Sequence, residues 1–97
     1  MELRYITSGI YYIPQIKKEG EWVNIVFGGN LTTPIAKLAQ AIADIDGINY
    51  ARWGEDEHQP FYFSNTKVIF FKKEMYVMAF LGGFKSYFSN QVTEYSS

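Results

Sequence analysis

Four ionisable side chains stand in a row in the second half of the chain: Glu55, Asp56, Glu57 and His58, the only histidine. Carboxylates and imidazole are the groups that bind metal ions and transfer protons. In an extended segment, however, successive side chains point to opposite faces, so at most two neighbours would share a site. The spacing therefore favours a solvated loop ended by Pro60. A small metal-dependent or acid/base hydrolase centred on His58 stays open as an alternative.

No second group of catalytic residues supports that alternative. Asp44 and Asp46 lie at the end of a predicted helix, and a predicted strand over 48–53 separates them from the acidic run by about 20 Å. The chain has no Cys, which excludes a thiolate nucleophile and a Cys-based zinc site. No G-x-S-x-G motif surrounds any serine. We therefore predict a protein that is not an enzyme, with no catalytic residue, metal or cofactor.

The segment FGGNLTTP joins a predicted strand, a glycine-rich turn and a helix N-terminus, which are the parts of a phosphate-binding cradle. It matches neither the P-loop pattern nor the dinucleotide-binding pattern, and it contains no Lys or Arg. The two glycines are interpreted as allowing a sharp turn from sheet to helix.

Composition bounds the remaining function classes. The chain has 97 residues, of which 47% are hydrophobic and 19% aromatic, and it is predicted to form one domain over 1–97. Nine basic and ten acidic residues leave a net charge of −1, which argues against extensive DNA binding and against mimicry of DNA. No secretory signal or membrane-spanning run is recognised. We expect a cytoplasmic protein, in the host cytoplasm if the chain is viral, with no membrane partner.

One helix is predicted from strong local signals. Thr33 and Pro34 suit the N-cap and the first helical position, and Gly47 suits the position just after the helix C-terminus. A helix is therefore expected at about 34–46. Its predicted apolar stripe consists of Ile35, Leu38, Ile42 and Ile45. Asp44 and Asp46 oppose the helix dipole at this end.

Strands are predicted for most of the remaining chain. Residues 3–13 read as a strand broken or bulged at Ser8–Gly9, and Pro14 indicates an edge strand or the end of regular pairing. Gly82–Gly83 predicts a hairpin turn between strands 75–81 and 84–88. A helix over 84–95 is the alternative, since its aromatic residues also fit helical spacing.

The predicted fold class is therefore α+β. We expect a single antiparallel sheet of five to six strands, in the order β-β-α-β-β-β-β, with one helix packed on one face. One helix cannot cover such a sheet. The uncovered aromatic face would then meet a partner.

Protein binding through that sheet surface is the predicted function, with a homodimer as the expected state. An accessory protein of a phage or archaeal virus, or an inhibitor of a host factor, is a hypothesis from size and the scarcity of Arg beside Lys. The interface candidates are large aromatic residues and their polar neighbours: Tyr11, Tyr12, Trp22, Arg52, Trp53, His58, Phe61, Tyr62, Phe63 and Tyr76.

Single-stranded nucleic-acid binding is the first alternative function. Sheet aromatics flanked by basic side chains can stack bases. Lys67, Lys72 and Lys73 lie on either side of the aromatic segment VIFF, although the RRM signature is absent. The same lysines are also interpreted as residues that protect this segment from aggregation.

Overall fold

The computed structural model describes residues 1–27, 32–48 and 67–88. Its N-terminal part is a three-stranded antiparallel sheet, in the order β1 (Leu3–Ser8), β2 (Tyr11–Lys18) and β3 (Glu21–Asn24). The chain reverses between Ser8 and Tyr11, which pair, so residues 3–13 contain a hairpin turn where the sequence predicted one strand broken or bulged at Ser8–Gly9. At the second turn, Glu19 and Gly20 have φ angles of 53° and 81°, as a type I′ hairpin turn requires.

Pro14 lies in the central strand, where the sequence predicted an edge strand or the end of regular pairing. It pairs with Tyr5 of β1, and its carbonyl accepts from the backbone N–H of Ile25 at 3.0 Å. The side of Pro14 that lacks a donor therefore faces Ile25, just past the last residue of β3, Asn24. A proline is tolerated in this central strand because regular pairing on that side has already ended.

The first helix, α1 (Pro34–Asp46), confirms the predicted bounds. The Thr33 side chain accepts from the backbone N–H of Ala36 at 3.2 Å, and Gly47 has a φ of 80° at the other end. The predicted apolar stripe was partly wrong, since Ile45 is 72% exposed. The fully buried positions are instead small residues: Ala36, Ala39 and Ala43.

The second helix corrects the largest error of the sequence prediction. Strands over 75–81 and 84–88 with a hairpin at Gly82–Gly83 were expected, but Glu74–Phe88 forms one continuous helix, α2. The helical alternative holds as far as Phe88, and residues 89–95 lie outside the described residues. Four buried side chains at helical spacing explain the outcome: Val77, Phe80, Phe84 and Phe88.

Two further strands complete the described elements. β4 (Val26–Phe27) pairs antiparallel with β5 (Lys67–Val68). Phe71 then exchanges two backbone hydrogen bonds with Tyr12, of 2.7 and 2.9 Å. The predicted single sheet of five to six strands with one helix was therefore wrong, although the α+β class holds.

Helix α2 occupies the centre of the fold. It packs on β1 and β2 on one side and on α1 on the other. The helix that covers the sheet is therefore α2, whereas the sequence assigned that role to the helix at 34–46. The predicted strand 48–53 and the acidic run lie outside the described residues, apart from the buried Ile48.

A buried carboxylate joins the two helices. Asp46, at the C-terminus of α1, accepts a hydrogen bond from the backbone N–H of Lys72, two residues before α2. Asp46 thus lies near the positive end of the α2 dipole, which offsets the unfavourable end of its own helix. The bond also fixes the end of α1 beside the start of α2.

Close packing between the helices depends on Gly83. A Cβ placed on Gly83 would lie 3.0 and 3.1 Å from the two terminal methyl groups of Leu38 on α1. On Gly82 the same atom would meet nothing within 4 Å. Gly83 therefore has a packing role inside the chain, whereas Gly82 has none in the described residues.

This difference predicts that Gly83→Ala is coupled to Leu38 and that Gly82→Ala is not. Alanine gains up to about 1 kcal/mol of helix propensity at both positions, but at 83 the Leu38 contact opposes that gain. In a Leu38→Ala background, Gly83→Ala should become more favourable by about 0.5 to 2 kcal/mol. Urea unfolding of the double-mutant cycle measures this coupling.

The matched cycle of Gly82→Ala with Leu38→Ala is the control, and its two effects should add. Equal coupling at both glycines, or none at Gly83, would contradict the helix packing described here.

Candidate interaction surface

Four of the ten predicted interface residues fall within the described residues. These are Tyr11, Tyr12, Trp22 and Tyr76, and each is half-buried. The others lie outside the described residues: Arg52, Trp53, His58, Phe61, Tyr62 and Phe63.

The sheet tyrosines contact the chain itself. The Tyr11 ring lies 4.5 Å from that of Phe70, between centroids. Tyr12 packs edge-on against Tyr5 at 5.7 Å, and its backbone bonds with Phe71. These rings therefore help to hold residues 70 and 71 against the hairpin, and Tyr76 packs against the same core.

Trp22 belongs to a polar cluster whose side chains are brought together by the pairing of β1, β2 and β3. The Arg4 guanidinium lies 4.3 Å from the Trp22 ring centroid, and the Lys17 ammonium lies 6.0 Å from it. Buried Gln15 connects neighbouring strands, accepting from Arg4 at 2.8 Å and donating to Asn24 at 2.9 Å. Two cations therefore lie near one aromatic ring, and the Lys17 ammonium also pairs with the Glu2 carboxylate at 3.7 Å.

The largest exposed apolar side chains of α2 lie on its outward face. Met75 and Met78 are 64% and 56% exposed. With 3.6 residues per turn, they share one side of the helix with three small, exposed residues. We call this set the α2 outer stripe: Met75, Met78, Ala79, Gly82 and Ser86.

Another exposed apolar side chain lies on α1. Asp46 meets Lys72 and Leu38 meets Gly83, so the two helices run antiparallel. Ile45, which is 72% exposed, therefore lies at the axial level of the start of α2.

Charges border the stripe rather than interrupt it. Glu74 and Lys85 are the only charged residues of α2, at the ends where the helix dipole favours them. The Tyr5 hydroxyl donates a hydrogen bond to the Glu74 carboxylate, which ties the start of α2 to β1. Sequence reasoning missed this surface because 75–81 was predicted as a strand, in which Met75 and Met78 point to opposite faces.

The described residues contain no group of three or more His, Asp or Glu side chains able to hold a metal ion. Within the same residues, neither helix has the length and apolar character needed to cross a bilayer. Comparisons of the chain with protein-family models, with curated proteins and with solved structures find no match. The function must therefore be argued from the surface itself.

The Tyr5–Glu74 bond predicts an alkaline component of stability. The hydrogen bond to Glu74, followed by desolvation, raises the pKa of Tyr5 above its ordinary value of 10.0. A raised folded-state pKa means that the stabilisation is complete below pH 10 and is lost as pH rises through the folded pKa. Tyr5→Phe should therefore weaken the loss of stability in this alkaline range, measured by urea unfolding from about pH 8 to 12.

Tyr87→Phe, which removes the hydroxyl of an exposed tyrosine on α2, is the control for Tyr5→Phe. Identical alkaline profiles for the Tyr5→Phe protein and the wild type would show that this bond does not form.

Proposed function

We propose that this chain is a small non-enzymatic protein-binding domain that self-associates through the α2 outer stripe. The observation that carries the proposal is the exposure of Met75 and Met78 on a helix whose opposite side is already buried. Contiguous exposed apolar side chains on a small domain usually mark a contact surface. On the outward side of α2, a second chain would cover these side chains.

The residue types of the stripe support a protein partner. Methionine is flexible and polarisable, so it adapts to varied apolar surfaces and is common at binding surfaces. Small residues such as Ala79 and Gly82 allow another helix to approach closely. The exposed Ile45 would widen the contact beyond α2.

The proposal moves the predicted interface from the sheet to α2. Sequence reasoning placed it on sheet aromatics, but the rings of Tyr11 and Tyr12 pack on Phe70 and Tyr5 of the same chain. Arg52, Trp53, His58 and the aromatic run 61–63 stay candidates from sequence alone. A role as a viral accessory protein or host-factor inhibitor also stays a prediction.

Single-stranded nucleic-acid binding is the second candidate function. The observation that favours it is the Trp22 ring, which is flanked by the Arg4 and Lys17 side chains. Stacking platforms with adjacent cations bind single strands with an affinity that falls steeply as salt rises.

Met78→Glu should convert a dimer into a monomer. Burying an unpaired carboxylate in an apolar contact is unfavourable enough to raise the dimer dissociation constant by more than tenfold, which corresponds to about 1.4 kcal/mol. Glutamate is a good helix former, so the fold of α2 should persist. Sedimentation equilibrium over a range of concentrations measures the constant.

Ile10→Glu is the matched control because Ile10 is equally apolar, 68% exposed, and lies on the turn between β1 and β2. It should leave the dimer unchanged. A wild-type protein that is monomeric up to about 100 μM and binds no protein would overturn the proposal. Salt-sensitive binding of a single-stranded oligonucleotide by that monomer would favour the second candidate.

A further inference from the structure

The two charged residues of α2 lie on the same flank of the outer stripe. Glu74 and Lys85 are eleven residues apart. At about 100° per residue, eleven residues return to within about 20° of the starting direction, about 16 Å further along the axis. The flank beside Met78 therefore carries one negative charge near its start and one positive charge near its end.

We infer that the stripe is occupied by α2 of a second copy of this chain, packed antiparallel, with Glu74 facing the partner's Lys85. This inference rests on the proposed self-association and specifies its geometry. In an antiparallel pair, the two-fold axis is perpendicular to both helices. The flank of one helix therefore contacts the same flank of the other, and the residue numbers of the two helices run in opposite directions. Both opposite-charge pairs then form at once, one on each side of the axis.

A parallel pair would not use these charges. In that arrangement the flank carrying Glu74 faces the partner's other flank, where Tyr76 and Gly83 lie at the corresponding positions. Neither Glu74 nor Lys85 would then meet an opposite charge. The two helix dipoles would also point the same way, whereas an antiparallel pair aligns opposite ends.

The crossing point of the antiparallel pair falls on small residues. The midpoint between Glu74 and Lys85 lies beside Ala79, one turn from Gly82. Glycine on an exposed helical face is unfavourable relative to alanine, and within the described residues no contact explains it at 82. A close approach by the partner helix accounts for a bare backbone there, while Met75 and Met78 fill the space beside the crossing.

Charge reversal tests the orientation directly. Glu74→Lys or Lys85→Glu alone places like charges together on both sides of the axis, and each should raise the dimer dissociation constant roughly tenfold at low salt. The double variant Glu74→Lys/Lys85→Glu restores both pairs and should return the constant to within about threefold of wild type. An equimolar mixture of the two single variants should form heterodimers in preference to either homodimer.

Two controls separate orientation from other effects of these substitutions. Tyr5→Phe removes the hydrogen bond that Glu74→Lys would also lose, and Glu21→Lys reverses an exposed charge on β3. Both should leave the dissociation constant unchanged. Circular dichroism of every variant verifies that α2 is retained.

The outcomes distinguish the inference from the proposed function. A monomeric wild type would overturn both. A wild-type dimer that is insensitive to the single reversals, or that the double variant does not restore, would overturn the antiparallel geometry and leave self-association standing. Weakening by each single variant and recovery in the double variant support the geometry.

Discussion

The fold depends on the burial of one stripe of α2 between the hairpin sheet and α1. The rings of Phe80, Phe84 and Phe88 follow one another along this stripe, with neighbouring centroids 5.9 and 4.8 Å apart. Phe71, which precedes α2, packs against Phe80 with centroids 5.6 Å apart. Full burial of each phenylalanine contributes about 1.5 to 3 kcal/mol. Two glycines in the helix interior cost about 1 kcal/mol each. The free energy gained by burying the phenylalanines therefore exceeds the loss of helix propensity at the two glycines, and the segment is helical.

This balance explains which elements the sequence predicts. Helix α1 is specified locally, by the Thr33 cap, by Pro34 and by the Gly47 stop, so its bounds could be read directly. Helix α2 is instead stabilised by its tertiary contacts. In the sequence, Gly82–Gly83 indicated a hairpin turn more strongly than the neighbouring residues indicated a helix. The wrong assignment of 75–88 then produced an excess of strands and left α1 as the only cover for the sheet.

The same error concealed the candidate surface. In a strand, Met75 and Met78 point to opposite faces, and Glu74 and Lys85 have no geometric relation. In a helix, the two methionines share the outward side and the two charges share one flank of it. The sequence did predict that an uncovered apolar surface would need a partner, but its location follows only from the helical assignment. The sheet tyrosines were chosen for residue type, and their rings pack on the chain's own core.

The two adjacent glycines of α2 face different sides of the helix. Gly83 faces Leu38 within the chain, and Gly82 faces outward beside the methionines. A helix with one glycine on each side can approach two neighbours closely, one of them inside the chain and the other outside it. On this account α2 is at once the centre of the domain and its contact surface.

Disulfide trapping tests the central claim, that the α2 outer stripe is the self-association surface. Because the chain has no Cys, Ala79→Cys introduces a single thiol at the proposed crossing point. Mild oxidation should convert this variant into a covalent dimer, because facing Cβ atoms at a close helix crossing come within disulfide reach. The matched Ile10→Cys variant, exposed on the hairpin turn, should stay largely uncrosslinked. Equal crosslinking of the two variants, or none at position 79, would contradict the account.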